Sequence, residues 1–418
     1  MPTILKRHLW IGAVCMTFLL IFVSSLFQQE ISYFTVSSIF GKLPRFFNDS
    51  PNLGLLSSIH SSIRKVLMEN GDSSTKPILV LAYSNLHSGV PWERINPPLF
   101  NNCSPDLNCV VTSDRRLFNE SSAVIFHLTT PNWWDPTPWR RPDQYFVFAL
   151  WESPTHGSSG FQLPKDYFNL TMTYRTDSDV FWPYGSIKER VESNESEMDE
   201  IERQIMNKTK LVAWMVSVCQ TPSARETYVA ELRKYVAVDT FGGCGPLKCP
   251  KDPNRNPTAL GTRGTKPCDL YLRQYKFYLS FENSLCRDYV TEKFFERIEN
   301  VAIVPIVLER NIVLGLAKSE KMRLVLNETF IAADDFKHPR ELADYLKFLD
   351  KTPSAYLKFF QWRRHYQVLL EEKLKPGCEL CRVIKQGERR MVRDIKQWWI
   401  KDALCHRFSQ TNFSSSSG

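Results

Sequence analysis

One stretch of the sequence, Tyr275 to Leu308, constrains the fold of this chain more than any other. Side chains alternate in direction from Tyr275 to Phe281, which predicts a β-strand rich in aromatic residues. The segment Tyr289 to Ile298 then predicts a helix with Asp288 as its N-cap. The apolar run Val301 to Leu308 predicts a strand buried on both faces. Strand, helix and strand in this order form a βαβ unit, so the sequence predicts an α/β domain with a parallel sheet.

A βαβ unit binds ligands beyond the carboxyl end of its first strand, at the N-terminus of the following helix. Four polar side chains are predicted to gather there, namely Asn283, Tyr289, Glu292 and Lys293. A helix N-terminus and a lysine suit a pyrophosphate, a glutamate suits ribose hydroxyls, and a tyrosine can stack on a base. The two charges are also compatible with an ordinary solvated helix face, because no glycine-rich phosphate loop is present.

The full string YKFYLSFENSLCRDYVTEK, from Tyr275 to Lys293, closely resembles the signature of the α1,3-fucosyltransferases, which are inverting enzymes that use GDP-fucose. The strings ESP at Glu152–Pro154 and YRTDSDVFWPYG at Tyr174–Gly185 resemble the same family. With the segment around Arg225, they occur in the family's order, and the resemblance extends from about Pro77 to Trp362. It implies two Rossmann-like domains that face a cleft, the GT-B arrangement, with the acceptor glycan on the first domain and GDP-fucose on the second.

The resemblance also implies roles for particular side chains. Glu152 would be the general base that removes the proton from the acceptor hydroxyl, and Arg225 and Lys293 would hold the pyrophosphate. From the residues alone, Glu152 could be a strand-end charge and Arg225 could form a surface ion pair with Glu226. Family members usually have Asn at the position of Val218, and this departure leaves one polar contact near the donor open.

The function implied is transfer of L-fucose from GDP-β-L-fucose in α1,3 linkage to a GlcNAc of a glycoprotein glycan, with inversion. No cofactor is required, although Mn²⁺ could stimulate the reaction. One alternative is an inactive paralogue that serves as a glycan-binding module. Another is a metal-dependent transferase built on Asp177 and Asp179, which resemble a DxD motif; Arg175 could neutralise them, and we interpret this string as structural. The acceptor, N-glycan core or antenna, stays open.

The chain of 418 residues has room for about two domains and a tail. We predict a cytoplasmic tail at 1–8, a transmembrane signal anchor at 9–27, a stem at 28–75, an acceptor-binding α/β domain at 76–205, a GDP-fucose-binding Rossmann-like domain at 206–350, and C-terminal helices with a disulfide-tied tail at 351–418. The net charge of +8 weakly favours anionic ligands, and no nucleic-acid-binding motif is present.

The run Leu9 to Phe27 carries no charge and follows Lys6 and Arg7, which predicts an uncleaved membrane anchor with a cytoplasmic N-terminus. A signal peptide cleaved near Ser24 is the alternative. With the family resemblance, this anchor predicts a single-pass type II protein of the Golgi membrane whose catalytic domain is lumenal.

Cysteines and glycosylation sequons agree with a lumenal chain. Cys15 lies in the predicted anchor, and the other ten of the eleven cysteines are enough for five disulfides. The CELC string at Cys378–Cys381 could be half a zinc site, but an oxidising compartment favours disulfides. The resemblance implies that Cys103 and Cys109 pair with Cys378 and Cys381. Predicted N-glycosylation sites are Asn48, Asn119, Asn169, Asn194, Asn207, Asn327 and Asn412.

Further elements and candidates follow from local patterns. Additional strands are predicted at Pro77–Tyr83, Cys109–Thr112, Ala123–His127, Tyr145–Trp151, Lys210–Ser217 and Val236–Asp239. Helices are predicted at Ser186–Lys210, Ser223–Tyr235, Arg340–Leu349 and Ala355–Glu371. His127 could be a second acid or base, or a core histidine. Tryptophans of the first domain could line an acceptor cleft or pack in the core: Trp133, Trp134, Trp139, Trp151 and Trp182.

Overall fold

The computed structural model describes residues 77–85, 92, 100, 103–104, 106–128, 139–155, 163–193, 195–250, 267–370 and 373–409. They fall within one compact unit that spans 71–418. The predicted anchor, the stem and the sequons at Asn48, Asn194 and Asn412 lie outside the described residues, as do Trp133 and Trp134. No helix in the described ranges has the length and apolar character needed to cross a membrane.

The β-strands of the described residues are β1 (Ile78–Ala82), β2 (Cys109–Thr112), β3 (Ala123–His127), β4 (Tyr145–Leu150), β5 (Leu170–Thr173), β6 (Val180–Phe181), β7 (Gly185–Glu189), β8 (Lys210–Met215), β9 (Val238–Phe241), β10 (Tyr275–Leu279), β11 (Val304–Val307), β12 (Ile331–Ala332) and β13 (Tyr366–Leu370). The α-helices are α1 (Glu195–Met206), α2 (Arg225–Leu232), α3 (Pro267–Leu272), α4 (Glu292–Asn300), α5 (Arg310–Leu314), α6 (Glu320–Asn327), α7 (Pro339–Lys351), α8 (Pro353–Leu357) and α9 (Pro376–Gln386). Short 3₁₀ segments cover Arg115–Leu117, Ala333–Asp335 and Lys358–Arg364, and a π-helical turn covers Gln397–Lys401.

Two parallel sheets organise the described residues, as the α/β prediction requires. The first has the strand order β2-β1-β3-β4-β5-β6, and the second has the order β12-β11-β10-β8-β9. All six residues of β4 and all four of β11 are buried, because side chains cover both faces of a parallel sheet. In the second sheet the strand order reverses between β8 and β10, and such a switch point opens a crevice at the carboxyl ends of the two strands.

The helix after β10 begins three residues later than the sequence predicts. Its N-cap is Thr291, whose hydroxyl accepts a hydrogen bond from the Lys293 N–H, and the helix runs from Glu292. Asp288 has a φ of 61°, and its carboxylate accepts from both the N–H and the hydroxyl of Thr176. The prediction of Asp288 as N-cap is therefore wrong, because this carboxylate binds a distant turn instead of its own helix.

Two predicted helices are also wrong in part. The segment Ser186–Lys210 begins with strand β7, and the segment Ala355–Glu371 ends with strand β13. These two strands pair antiparallel, with Tyr366 opposite Glu189 and Leu370 opposite Gly185. A Cβ at Gly185 would overlap the Phe295 ring of α4, so the glycine lets this ribbon pack closely against the helix. Long-range pairing has overridden local helix propensity here.

Within the described ranges, five disulfides connect ten cysteines. They include Cys103–Cys378 and Cys109–Cys381, which join the region of β2 to helix α9 and confirm the pairing that the resemblance implied. The other three are Cys219–Cys244, Cys249–Cys268 and Cys286–Cys405. Since Cys378 and Cys381 are both oxidised, the CELC string is not half of a zinc site in this structure.

Candidate active site

Strand β4 of the first sheet ends at Leu150, and Trp151 and Glu152 follow it directly. The Trp151 ring stacks on Tyr184 with centroids 4.3 Å apart, and its indole N–H donates to the Trp182 carbonyl at 2.9 Å. The Tyr184 hydroxyl in turn donates to the Trp151 carbonyl at 2.9 Å. These contacts fix the backbone next to Glu152, whose side chain is partly exposed. A carboxylate held in this way can accept a proton from a ligand hydroxyl at a defined position.

Tyr289 connects Glu152 to the second sheet. Its hydroxyl donates a hydrogen bond to Glu152 Oε2 at 2.9 Å. The Tyr289 ring is buried and meets the Tyr174 ring edge-on, with centroids 5.0 Å apart. Burial, and then neighbouring Tyr184 and Glu152, raise the pKa of Tyr289 well above its ordinary value, so the phenol stays protonated and keeps donating. The sequence predicted that Tyr289 could stack on a base; in this structure the ring is enclosed by protein instead.

Hydroxyl groups make a second connection between the Glu152 loop and the loop after β10. Ser153 and Thr155 both donate to the Ser284 hydroxyl oxygen, at 2.8 and 2.7 Å. Ser153 and Ser284 are buried, so water cannot easily replace the hydrogen bond between them. The predicted base and the predicted donor-binding loop are therefore held together by side-chain hydrogen bonds.

Arg225 is the first residue of α2 and lies at the switch point of the second sheet. Its side chain is buried, and Nη1 donates to the Phe281 carbonyl at 2.6 Å, just past the end of β10. Nη2 donates to the Val218 carbonyl at 3.4 Å, past the end of β8. Nε is buried and has no hydrogen-bond partner within the described residues. A guanidinium with a donor left over is suited to a phosphate oxygen entering the crevice.

Lys293 lies in the first turn of α4 and its ammonium has three acceptors. Nζ is 2.8 Å from Thr291 Oγ1, 3.0 Å from Glu292 Oε1 and 3.2 Å from Glu282 Oε2. Burial alone would lower the pKa of Lys293, but Glu282 and Glu292 raise it above its ordinary value. Lys293 is therefore a permanent cation at a helix N-terminus, where anions are favoured.

Asn283 and Glu292 lie beside these cations, as the sequence predicts. The Asn283 carbonyl accepts from the Ser223 N–H at 3.0 Å, which ties the loop after β10 to the start of α2. The Asn283 Oδ1 atom is buried and has no hydrogen-bond partner in the part of the chain that the structure describes. The Glu292 side chain is 31% exposed and holds Lys293. Arg225, Asn283, Glu292 and Lys293 thus gather around the same strand ends.

The DxD-like string is committed to structural contacts. The fully buried Arg175 forms a two-point contact with Asp177, at 2.9 Å from Nε and 2.6 Å from Nη2. Asp179 accepts from the N–H and the hydroxyl of Thr171, each at 2.8 Å. Among the described residues, no group of three His, Cys, Asp or Glu side chains is arranged to hold a metal ion. Both carboxylates would have to break protein contacts to bind one, which supports the structural interpretation.

Other sequence candidates lie away from this site or in the core. His127 and Trp182 are buried, whereas Trp139 is exposed. Asn119, Asn207 and Asn327 are exposed, as glycosylation sites must be. Asn169 is buried, and its amide nitrogen donates to the Arg390 carbonyl at 3.0 Å. Its prediction as a glycosylation site is therefore wrong for the folded protein, because the nitrogen that would carry the glycan is enclosed.

Sequence reasoning missed one prominent residue of the site, Glu282. The sequence patterns assign it no role, yet its carboxylate contacts the Thr291 N-cap and Lys293. A signal was present, because an acidic residue three positions beyond the buried strand β10, at a switch point, faces the ligand crevice. Its actual partners depend on the turn between Glu282 and Thr291, which sequence patterns do not specify.

Comparisons with known proteins place this chain among fucosyltransferases. A model of the fucosyltransferase N-terminal region matches residues 75–185, and a model of the glycosyltransferase family 10 (fucosyltransferase) C-terminal region matches residues 205–398. The chain is 36% identical over 306 residues to the α-(1,3)-fucosyltransferase fut-1 of Caenorhabditis elegans, which covers 70% of this chain and 64% of that relative's length. It is 34% identical over 361 residues to α-(1,3)-fucosyltransferase C of Drosophila melanogaster, with 78% of each chain covered.

Two further matches come from a human relative and a solved structure. The human 4-galactosyl-N-acetylglucosaminide 3-α-L-fucosyltransferase FUT6 is 33% identical over 316 residues, covering 74% of this chain and 81% of the relative. A crystal structure of an α1,3-fucosyltransferase aligns with a TM-score of 0.42 and 15% identity, over 78% of this chain and 93% of that chain. The matched family models together with the site define the class of protein as a glycosyltransferase. The chain belongs to glycosyltransferase family 10, among its α1,3-fucosyltransferases.

Proposed function

We propose that this protein transfers L-fucose from GDP-β-L-fucose to a GlcNAc of a glycoprotein glycan, in α1,3 linkage and with inversion. One observation carries the proposal: the Glu152 carboxylate, at the end of one parallel sheet, is hydrogen-bonded to the loop after β10 in the other sheet. That loop lies against the buried Arg225 and the partly buried Lys293. Such a site presents a base and an anion-binding group to the same crevice, as a transfer from a nucleotide diphosphate sugar requires.

Glu152 is the base in this proposal. Tyr289 occupies Oε2, and within the described residues Oε1 has no hydrogen-bond partner, so Oε1 can accept the proton of the acceptor hydroxyl. The hydroxyl oxygen forms its bond to the anomeric carbon of fucose while the bond from that carbon to the β-phosphate oxygen of GDP breaks. Attack opposite to the leaving group inverts the configuration and converts a β donor into an α product.

Arg225, Lys293 and the N-terminus of α4 stabilise the charge that develops on the departing diphosphate. The helix has nine residues and begins directly beside the Lys293 ammonium. Asn283 Oδ1 accepts a hydrogen bond from a hydroxyl or amino group of GDP-fucose, and Glu292 accepts hydrogen bonds from the ribose hydroxyls. All of these groups surround the strand ends of the second sheet, so this region binds the donor in our proposal.

The proposal extends to the arrangement of the chain. The regions 76–205 and 206–350 are two domains of a GT-B enzyme, the first binding an N-glycan or other glycoconjugate acceptor and the second binding GDP-fucose. The step needs no metal cofactor, and stimulation by Mn²⁺ remains a separate expectation. The run Leu9 to Phe27 anchors a type II protein in the Golgi membrane, with the catalytic part in the lumen.

A transfer assay on a glycan array tests the proposal. The purified protein is supplied with GDP-fucose and with acceptors that carry either a core GlcNAc or an antenna N-acetyllactosamine, and the product linkage and anomer are determined by NMR. We expect an α1,3 product that persists in chelator. Activity that chelator abolishes would favour a metal-dependent transferase instead. GDP binding with neither transfer nor donor hydrolysis would favour a glycan-binding module, for which Val218 is the sequence argument.

A further inference from the structure

Glu282 is a buried carboxylate that the proposed mechanism does not use. Its side chain is 8% exposed, although it directly borders the crevice at the end of β10. Oε1 accepts from the Thr291 N–H at 2.8 Å and from the Thr291 hydroxyl at 2.9 Å. Oε2 lies 2.9 Å from the same hydroxyl and 3.2 Å from Lys293 Nζ. A carboxylate next to an anion-binding site repels the bound anion, so the position of Glu282 needs an explanation.

The contacts of Lys293 provide that reason. An ammonium group has three N–H donors, and Thr291, Glu292 and Glu282 supply three acceptors. A diphosphate oxygen can therefore bind Nζ only after one acceptor leaves. The Glu292 side chain is 31% exposed and can turn into solvent or toward a ligand. Glu282 cannot, because it is enclosed and also holds the backbone N–H of the helix cap.

We propose that Glu282 is a positioning residue, which holds the Lys293 ammonium as a cation at the N-terminus of α4 while the donor diphosphate replaces Glu292. This inference rests on the proposed function, because it assumes that Lys293 binds the diphosphate. Glu292 is then the exchangeable partner of the lysine, and Glu282 with Thr291 is the fixed one. The lysine needs no rearrangement when the donor arrives.

The charges around Lys293 show what Glu282 contributes to the site. The groups that face it are Glu282, Glu292, Arg225 and Tyr278. Burial and Arg225 lower the pKa of Lys293, and the two carboxylates raise it. Solvent screens the partly exposed Glu292 more than the enclosed Glu282. Neutralising Glu282 therefore lowers the pKa of Lys293, so that the lysine loses its proton at a lower pH.

The experiment measures the Kd of GDP by calorimetry at about pH 7 for the wild type, Glu282→Gln, Lys293→Met and the double variant, which form a double-mutant cycle. We expect Glu282→Gln alone to raise the Kd by roughly tenfold, about the effect of one charge-assisted contact, because the Lys293 ammonium loses its fixed partner. In a Lys293→Met background, Glu282→Gln should change the Kd by less than about twofold, because the ammonium that it positions is gone.

An unchanged Kd in Glu282→Gln, or a rise in the Kd that persists in the Lys293→Met background, would overturn the proposal. Glu282→Asp keeps the charge but shortens its reach. It should weaken GDP binding less than Glu282→Gln does, because the charge remains, and it should lower kcat. If Glu282→Gln does not fold, Glu282→Asp decides, and wild-type affinity and kcat in that variant would contradict the inference. Failure of the wild type to bind GDP would instead reject the proposed function.

Discussion

Replacing Glu152 by Gln removes the proposed base with little other change. The carbonyl oxygen of Gln can accept the hydrogen bond that the Tyr289 hydroxyl donates to Glu152 Oε2, so the connection between the two sheets can persist. The stack of Trp151 on Tyr184 does not involve the carboxylate. General-base assistance is typically worth about 10²- to 10⁴-fold in rate, which corresponds to roughly 3–5 kcal/mol of barrier. We expect the single-turnover rate of fucose transfer to fall by this factor.

Binding and hydrolysis assays separate loss of the base from loss of the site. Calorimetry should give a GDP Kd within about twofold of the wild type, because the cationic contacts are intact in Glu152→Gln. Hydrolysis of GDP-fucose without acceptor should fall less than transfer, since water can release its proton to bulk solvent. Transfer in Glu152→Gln within about threefold of the wild type, measured where chemistry limits the rate, would refute Glu152 as the base.

Tyr289→Phe is the matched control for this experiment. It keeps the carboxylate but removes the hydroxyl that holds Oε2, so it tests the orientation of the base. A hydrogen bond to a charged group is worth about 1.5–3 kcal/mol, which sets the largest loss in rate expected from misorientation. A loss in Tyr289→Phe that exceeds that of Glu152→Gln would mean that the tyrosine acts mainly on the donor, and the proposed division of roles would be wrong.

Three further predictions concern single groups. Lys293→Ala should weaken GDP binding by about 2–3 kcal/mol, the size of a charge-assisted contact, and unchanged affinity by calorimetry would remove Lys293 from the site. Burial lowers the pKa of Lys208 to about 7, so the unfolded state binds more protons above that pH and the unfolding free energy should rise with pH, by up to roughly 1 kcal/mol per unit. Denaturant titrations at several pH values should show that Lys208→Met lacks this rise, and an equal slope in both proteins would contradict it. Mass spectrometry of protein from a secretory host should find glycan on the exposed Asn119 and none on Asn169, whose amide is buried. Glycan on folded Asn169 would disprove the packing described.

The strands that carry the site follow from the sequence because their apolar runs are long and contiguous. The segments Cys109–Thr112 and Ala123–His127 were predicted with the bounds that the structure has, and Tyr145–Trp151 is one residue longer than β4. Strand β13 was predicted as a helix, since the residues that pair with it lie far away in the sequence, at Gly185–Glu189. Local patterns describe burial well, but they do not identify a partner strand.

The candidate site was predictable to a similar extent. Arg225 and Lys293 lie together at the expected strand ends, because parallel strands place their carboxyl ends at one edge of the sheet. Tyr289 was expected to face a ligand, but the turn before α4 directs its hydroxyl to Glu152 instead. The role of Glu282 depends on the same turn. In that turn Asp288 has a positive φ. The residue type alone does not predict which aspartate in a sequence adopts this conformation.

The two disulfides between β2 and α9 affect how the chain is synthesised. Cys103 and Cys378 are separated by 275 residues, and Cys109 and Cys381 by 272. At about 5–20 residues per second, a ribosome takes roughly 14–55 s to reach the second cysteine of either pair. Throughout that time the early cysteines have no native partner, while the pair Cys219–Cys244, only 25 residues apart, can close. Until the last cysteines emerge, Cys103 and Cys109 must stay reduced or be corrected by thiol–disulfide exchange, so the yield of native enzyme should depend on a disulfide isomerase.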